Sequence, residues 1–400
     1  MRCRVCESAY PAVASGICLR CFGPLEPVYD WEAVAKVVSR EQIAAGPRSL
    51  WRYAPLLPVE APADAAAGPG WTPLVGAPRL AQTLGIGELF LKLDHTNPTH
   101  SFKDRVVAVA AAKAAELGND TLACASTGNL GNAVAARAAA SGMRSVVLYP
   151  ETVEPEKLLA TAVYGGEMYA VQGSYDDCSR LVVELAGELD WAFVNVNLRA
   201  YYMEGSKTLA FEISEQLGWE LPDAVVSPIA SGSLFTKLWQ GFEQFRLLGL
   251  VEGQSPRIYG GQAEGCAPVA HAFAAGRPVS PVRPATVAHS LAIGAPADGD
   301  LAIATAHASG GAIYAVPEAD VGANMSLLAG TSGVFGETAA GVTLGALRAA
   351  VADGEIGEHD RVVALVTGTG LKTPQAVDVG EATRIAADVD VLLAGLEARA

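Results

Sequence analysis

Residues 89–125 read LFLKLDHTNPTHSFKDRVVAVAAAKAAELGNDTLACA, and the fold prediction starts from this stretch. An apolar run, Leu89–Leu93, is followed by a polar loop and then by an alanine-rich helical pattern over Ser101–Leu117. A second apolar run, Leu122–Ala125, comes after the helix. Short continuous apolar runs that alternate with helical stretches are typical of buried parallel strands. The stretch therefore predicts a strand, a helix and a second strand.

The same alternation continues along most of the chain. Further strands are predicted at Ser145–Tyr149, Glu167–Val171, Ala224–Ile229, Arg257–Gln262 and Val362–Val366. Helices are predicted at Trp31–Ala44, Asn132–Ser141, Ser179–Leu189, Gly205–Leu217, Leu234–Leu248 and Gly336–Asp353. This order predicts an α/β fold in which parallel sheet is covered by helices on both faces.

The composition excludes several classes of protein. Four hundred residues, half of them apolar, are enough for more than one domain with a large core. The 28 basic and 43 acidic residues give a formal net charge of -15, which disfavours binding to nucleic acid. Because the overall field repels anions, an anionic substrate must be bound by local hydrogen-bond donors. Met1–Tyr10 lacks the apolar segment of a targeting signal, and Leu301–Pro317 is too short and polar to span a membrane. We therefore expect a cytoplasmic protein.

Four of the seven cysteines lie at the N-terminus in a CxxC–x11–CxxC pattern. Two CxxC turns can offer four thiolates to one tetrahedral zinc ion. A pair of disulfides or four free thiols is the alternative, which a reducing cytoplasm favours less than zinc. With no open ligand position, the zinc would be structural. The predicted ligands are Cys3, Cys6, Cys18 and Cys21.

Three glycine-rich loops lie between predicted strands and helices: Ala125–Asn132, Ser227–Leu234 and Val366–Leu371. In open α/β sheets, ligands bind beyond the carboxyl ends of the strands, where such loops lead into helices. Three of them in one chain indicate a polar cofactor that is held from several sides.

Lys103 lies in the polar loop HTNPTHSFKDR (95–105), beside Phe102 and at the start of a helix that Thr99 or Ser101 is expected to cap. An apolar pocket and a helix N-terminus both favour the neutral amine, so such a lysine can become a Schiff-base nucleophile. The alternative is a surface lysine beside Asp104.

Several ordered motifs resemble those of the threonine synthases, which are pyridoxal-phosphate (PLP) enzymes of fold type II. The stretch NPTHSFKDR resembles their NPTxSFKDR segment, and the N-terminal cysteine pairs resemble their N-terminal ribbon. The other similar stretches are ASTGNLGNAVAARAA (125–139), EGSKTLAFEI (204–213), GQAEGCAPV (261–269), SLAIG (290–294), GVFGETAAGVTL (333–344) and VTGTGLKTP (366–374). Together they cover most of residues 1–375 in the order of the family.

The resemblance implies two parallel-sheet α/β domains with the cofactor between them, and a zinc ribbon before them. We expect the ribbon-like segment at residues 1–27. The larger PLP-binding domain is expected at 28–102 and 201–400, and a smaller movable domain at 103–200. By analogy with the fold family, the protein is expected to be a homodimer that binds a small amino-acid substrate.

The resemblance also assigns roles to residues. Lys103 matches the lysine that holds PLP covalently and later moves protons on the substrate. Asn129 matches the residue that hydrogen-bonds the phenolic oxygen of the cofactor, and Thr367 the hydroxyl that faces the pyridine nitrogen. The turn expected to bind the PLP phosphate consists of Ala230, Ser231, Gly232, Ser233 and Leu234. The residues expected to face the substrate carboxylate are Ser126, Thr127 and Gly128.

The reaction implied is the conversion of O-phosphohomoserine and water to threonine and phosphate. Many members of the family carry an arginine where this chain has Tyr202, and that arginine would clamp the substrate phosphate. Arg199, Lys207 and Ser206 are the candidates to replace it, and Tyr202 is kept as a substrate contact. Two other functions stay open, namely a β-replacement enzyme that acts on O-phosphoserine or a similar amino acid, and a non-catalytic zinc-ribbon binding protein.

Overall fold

A computed structural model describes residues 1–12, 16–378, 380 and 382–397. Residues 13–15 of the expected ribbon segment lie outside the described residues, as do 379, 381 and 398–400 of the expected larger domain. Among the residues described, we find no helix that is long and apolar enough to cross a membrane.

Two open sheets form the body of the molecule. The described strands are β1 (Arg2–Cys3), β2 (Leu25–Glu26), β3 (Leu74–Gly76), β4 (Glu88–Leu93), β5 (Thr121–Ala125), β6 (Arg144–Pro150), β7 (Glu167–Val171), β8 (Ala192–Phe193), β9 (Ala224–Pro228), β10 (Arg257–Ala263), β11 (Ile313–Val316) and β12 (Arg361–Val366). The larger sheet has the strand order β11-β10-β9-β12-β4-β3, and all of its pairs are parallel except the edge pair β3–β4. The smaller sheet, β7-β6-β5-β8, is parallel throughout. Strands β1 and β2 form a separate antiparallel pair near the N-terminus.

Helices lie between the strands along the described chain. They are α1 (Trp31–Val37), α2 (Arg40–Ala44), α3 (Pro78–Leu84), α4 (Lys103–Glu116), α5 (Asn129–Ser141), α6 (Pro155–Ala162), α7 (Tyr175–Glu188), α8 (Arg199–Glu204), α9 (Lys207–Gln216), α10 (Ser233–Leu247), α11 (Pro268–Ala275), α12 (Gly299–Ser309), α13 (Glu318–Ser332), α14 (Thr338–Ala352) and α15 (Val389–Glu397). The α/β fold with parallel sheets is thus confirmed, and all seven predicted strands are present within two residues of their expected ends.

Four predictions of local structure were wrong. Helix α7 begins at Tyr175, four residues before the predicted Ser179, because the Ser174 side chain caps it and forms a capping box with Asp177. The helix predicted at Trp31–Ala44 divides at Val38, which is extended, and the Ser39 hydroxyl caps the second half. Helix α5 begins three residues earlier than predicted, because Gly128 at φ +121° makes the turn directly before Asn129. Neither Thr99 nor Ser101 caps α4, since the Thr99 hydroxyl donates to Asp104 instead, at 2.9 Å.

The central strands are continuous apolar runs because both of their faces are covered. Every residue of β5 and of β9 is buried. Helix α14 packs against β9, β10 and β12 on one face of the larger sheet, whereas α10 packs against the sheet with α9 and α12. This arrangement places the carboxyl ends of β4, β9 and β12 side by side, where a ligand can reach them.

A network of buried charges lies directly behind the start of α4. The Arg105 guanidinium donates to Asp94 at 2.7 and 2.8 Å and to both oxygens of Glu212 at 2.5 and 2.7 Å. Lys92 also donates to Glu212 at 2.7 Å, and all of these side chains are at most 1% exposed. Burial opposes ionisation of Glu212, but its two cationic partners outweigh burial and lower its pKa to about 2. The network therefore ties strand β4, the loop before Lys103 and helix α9 together.

We predict that Glu212→Gln lowers the free energy of unfolding by about 3 to 5 kcal/mol, because it leaves two buried cations without their shared carboxylate. Urea titration of the purified protein measures this change. Glu167→Gln is the matched control, because Glu167 forms its ion pair with Arg144 on the exposed surface. Loss of this exposed ion pair should lower the free energy of unfolding by less than about 1 kcal/mol. Equal losses of stability in the two variants would contradict the role given to the network.

Candidate active site

The carboxyl ends of four parallel strands converge on two adjoining cavities. The first, which we name the serine-turn cavity, is lined by Lys103, Asn129, Ala230, Ser231, Gly232, Ser233, Leu234 and Thr367, among others. The second, the Arg199 cavity, is lined by Ser126, Thr127 and Arg199, among others. Lys103, Asn129 and Tyr202 line both. The structure thus brings together most of the residues that the sequence analysis selected.

Lys103 is the first residue of α4, and its ammonium lies between two aromatic side chains. Its Nζ is 3.2 Å from the hydroxyl of Tyr202 and 4.6 Å from the ring centre of Phe102. Desolvation lowers the pKa of Lys103 to about 8, although the negative charge of Glu337 opposes this shift. A lowered pKa increases the neutral fraction of the amine near neutral pH, and the neutral amine is the nucleophile.

Asn129 is held by two buried residues that the sequence analysis did not single out. Its Nδ2 donates to both carboxylate oxygens of Glu337 at 2.9 and 3.0 Å, and its Oδ1 accepts from Lys372 at 2.9 Å. Burial lowers the pKa of Lys372 to about 8, which Glu337 again opposes. Both residues lie inside motifs quoted for the family, in GVFGETAAGVTL and VTGTGLKTP, and that position was the signal that could have found them.

Hydrogen bonds within the loop before α5 fix its conformation. The Ser126 hydroxyl accepts from the N–H groups of Gly128 and Gly131 at 2.9 and 2.8 Å. Gly128 has φ +121°, and a Cβ there would lie 2.2 Å from the Lys157 side chain, so only glycine suits the position. Ser126 and Thr127 line the Arg199 cavity, whereas Gly128 is not among the lining residues and serves to make the turn.

The Ser231–Leu234 turn leads into α10 and has the features of an anion site. Gly232 has φ +92°, and a Cβ on it would lie 2.6 Å from the carbonyl oxygen of Asp298. The Ser206, Ser233 and Ser290 hydroxyls line this cavity, are buried, and have no hydrogen-bond partner among the residues described. Three unpaired hydroxyls beside a helix N-terminus fit a phosphate group that accepts from them.

Thr367 follows strand β12 and is 5% exposed. Its carbonyl accepts from the N–H of Phe102 at 2.8 Å, which connects this loop to the lysine. Thr367 is among the residues that line the serine-turn cavity.

The three candidates for the missing arginine lie in different places. Arg199 lines the Arg199 cavity, and Ser206 lines the serine-turn cavity. Lys207 is not brought to either cavity: it is fully buried, forms an ion pair with Glu204 at 2.5 Å and donates to the carbonyl of Leu56. We therefore remove Lys207 from the expected substrate contacts, because its charge is already satisfied in the core.

The four N-terminal cysteines come together as predicted. Their sulfur atoms lie within 4.8 Å of one another, with 3.4 Å between Cys3 and Cys21 and 3.5 Å between Cys6 and Cys18. All seven cysteines of the chain are free thiols. The N–H groups of Val5 and Arg20 donate to the sulfurs of Cys3 and Cys18, a contact that stabilises thiolates. This donor set fits a tetrahedral zinc ion.

Comparison with known proteins gives the family. Residues 65–368 match the family described as pyridoxal-phosphate dependent enzyme. The threonine synthase of Methanocaldococcus jannaschii is 35% identical over 397 residues, which cover 98% of both chains. That of Methanosarcina acetivorans is 36% identical over 380 residues, which cover 94% of this chain and 93% of the relative. The chain belongs to the threonine synthase family of PLP-dependent enzymes.

Solved structures agree with this family at the level of the fold. Threonine deaminase isoform 2 of Solanum lycopersicum has a TM-score of 0.66 at 18% identity, covering 88% of this chain and 94% of the other. The L-serine ammonia-lyase of Rhizomucor miehei has a TM-score of 0.64 at 22% identity, covering 74% and 93%. The expected PLP fold type II is confirmed.

We predict that Lys103→Ala abolishes covalent attachment of PLP, because no other residue offers a free amine at the junction of the two described cavities. The measurement is the visible absorbance of the protein after addition of PLP, followed by borohydride reduction and peptide mapping. Lys36→Ala is the control, because Lys36 is exposed and lines neither cavity. A label that persists in Lys103→Ala would contradict the assignment.

Proposed function

We propose that this member of the family converts O-phospho-L-homoserine and water to L-threonine and phosphate. The observation that supports it best is the junction of the two cavities. Lys103, Asn129 and Tyr202 lie between a wall suited to the PLP phosphate and a wall that carries Arg199. A substrate held in the Arg199 cavity would therefore meet the amine of Lys103.

The residues that would hold PLP are those of the serine-turn cavity. The Ser231–Leu234 turn and the unpaired Ser206 and Ser233 hydroxyls would take its phosphate, and Thr367 would face its ring nitrogen. When bound, the cofactor supplies a ring that draws electrons away from the substrate. A neutral hydroxyl at the ring nitrogen keeps this withdrawal moderate, which favours elimination and replacement over transamination.

Glu337 and Lys372 would position Asn129 for its expected contact with the phenolic oxygen of PLP. Both amide atoms of Asn129 are engaged by these two residues, so the amide plane is defined before the cofactor binds. A preorganised amide loses less entropy on binding than a free one. Glu337 also lowers the cost of a positive charge on Lys103, which must gain and lose a proton during turnover.

The substrate carboxylate would bind at the start of α5. Ser126 and Thr127 line the Arg199 cavity there, and the N-terminus of a 13-residue helix favours an anion. With the carboxylate held, Lys103 would take the proton from Cα and afterwards one from Cβ of the substrate. Phosphate leaves from Cγ, which then gains the proton taken from Cβ and becomes a methyl group. Water adds its hydroxyl at Cβ and gives its other proton to the released phosphate, and Lys103 would return the first proton to Cα.

Residues 103–200, which contain the smaller sheet, would move as a unit to close the site. Closure would exclude bulk water from the Arg199 cavity while one water molecule reacts. Glu154 of this part and His289 of the rest meet at 3.0 Å, and Arg199 likewise forms an ion pair with Asp298 of the rest. These contacts would have to persist or reform in the closed state.

A β-replacement enzyme acting on O-phosphoserine is the second candidate, because Tyr202 stands where the family often has arginine. We predict that the purified PLP-loaded protein releases phosphate and threonine in equal amounts from O-phospho-L-homoserine. Chromatography of the amino-acid product together with a phosphate assay measures both. Lys103→Ala should form no product, and turnover of O-phospho-L-serine alone would favour the second candidate.

We also propose that the cysteine cluster binds one structural zinc ion and that the protein is a cytoplasmic homodimer. Seven free thiols suit a reducing compartment. The cluster lies against the rest of the molecule at Gly16, where a Cβ would be 2.2 Å from the carbonyl oxygen of Val196, just before helix α8. Zinc would therefore support the start of the helix that carries Arg199 and Tyr202.

We predict about one zinc ion per purified chain, because four thiolates complete a closed tetrahedral site. Metal analysis by mass spectrometry measures the content, and Cys18→Ser should lose the ion and lower the melting temperature. Cys178→Ser is the control, since Cys178 is equally buried but lies outside the cluster. A Cys18→Ser protein that keeps its zinc would contradict the site.

A further inference from the structure

The Arg199 cavity carries little positive charge for a site that must accept a phosphate ester. Its charged lining residues are Lys103, Asp176 and Arg199. Lys103 is required for the cofactor, and Asp176 is acidic. In a chain of net charge -15, the surrounding field repels a dianion, so its capture depends on a local cation. In this lining, Arg199 is the cation that remains for the substrate phosphate.

The geometry of Arg199 leaves most of its donors available. Its Nη2 forms a short ion pair with Oδ2 of Asp298, whose side chain is 2% exposed, whereas the Arg199 side chain is 20% exposed. Nε and Nη1 have no partner among the described residues. A guanidinium held at one nitrogen can therefore present the remaining N–H groups to a phosphate as a fork.

Asp298 connects this arginine to the turn expected to hold the PLP phosphate. Its backbone N–H donates to the carbonyl of Ser231 at 2.9 Å, and its own carbonyl oxygen packs so close to Gly232 that a Cβ there would lie only 2.6 Å from it. The carboxylate of Asp298 thus anchors the guanidinium at a defined place relative to the cofactor. An arginine anchored in this way loses little side-chain entropy when the phosphate binds.

Tyr202 is occupied elsewhere. It lies three residues after Arg199 on helix α8, so the two side chains point to the same side of the helix. Its hydroxyl contacts Lys103 rather than open space. Tyr202 is therefore engaged by the lysine, and the guanidinium one helical turn earlier is the group on this face of α8 that is left for an anion.

We propose that Arg199 binds the phosphate of the substrate and that Asp298 positions Arg199 for this contact. The proposal rests on the proposed function and makes this chain selective for amino acids whose leaving group is a phosphate monoester. Homoserine esters with an uncharged leaving group would leave the guanidinium without its bidentate partner and bind poorly, and a singly charged leaving group would bind less tightly than the phosphate dianion.

The test compares Arg199→Leu and Arg199→Lys with the control Arg180→Leu, which removes an exposed arginine from the same part of the chain. We expect Arg199→Leu to raise KM for O-phospho-L-homoserine about 100-fold, because it removes charge-assisted hydrogen bonds. Arg199→Lys keeps the charge but loses the fork, so its KM should rise about tenfold. The absorbance of bound PLP should be unchanged in both variants.

Inorganic phosphate serves as an independent probe of the same site in the PLP-loaded enzyme. Its inhibition constant should rise by about tenfold or more in Arg199→Leu and stay unchanged in Arg180→Leu. Because phosphate inhibition can be measured against any substrate that the enzyme accepts, it separates the two proposals. If threonine is not formed but phosphate inhibition still depends on Arg199, the proposed reaction fails and the phosphate site stands.

A double-mutant cycle tests the role of Asp298. Asp298→Asn should raise KM about fivefold in the chain that carries Arg199 and have no further effect in the Arg199→Leu background, since Asp298 acts through the guanidinium. Additive effects would show that Asp298 has a separate structural role. A KM and a phosphate inhibition constant within twofold of the unaltered enzyme in Arg199→Leu would overturn the proposal.

Discussion

The buried network around Arg105 is the constraint on which the active site depends. Arg105 lies two residues after Lys103, and its guanidinium joins Asp94 at the end of β4 to Glu212 in α9. Such a network is costly to desolvate and holds only when every charge is paired. Since α9 follows directly on α8, the same ion pairs relate Lys103 to Arg199 and Tyr202. The position of the lysine is thus set by charges that never meet the substrate.

Most lysines of this acidic protein lie inside the fold. Of its eight lysines, six are buried, Lys103 lies in the wall of the two cavities, and only Lys36 is exposed. Several pair with buried carboxylates, as Lys207 and Lys237 do with Glu204. The charges of such pairs are balanced within the core, so they add little to the field at the two cavities. Lys103 and Arg199 are the cationic residues in the lining of these cavities, and anionic ligands depend on them and on local hydrogen-bond donors.

The sequence predicted the parts of the site that depend on local pattern. Continuous apolar runs located the seven strands, and the glycine-rich loops located the turns at Gly128 and Gly232, because only glycine suits their positive φ. Lys207 was wrongly assigned to the substrate site, because its motif does not show which side of a helix faces the core. Glu337 and Lys372 lie 208 and 243 residues from Asn129, so their motifs could mark them as part of the site, but their contacts with Asn129 follow only from the folded structure.

The N-terminal segment supports helix α8. Gly16 lies against Val196, β2 packs near α8, and the hydroxyl of Tyr29 donates to Glu204 at 2.6 Å. Glu204 is the last residue of α8, so the helix is held at its beginning by Gly16 of the N-terminal segment and at its end by the half-buried Tyr29. A helix of six residues has little stability of its own. The position of α8 therefore depends on these contacts with the N-terminal part of the chain. The positions of Arg199 and Tyr202, which line the Arg199 cavity, depend on them as well.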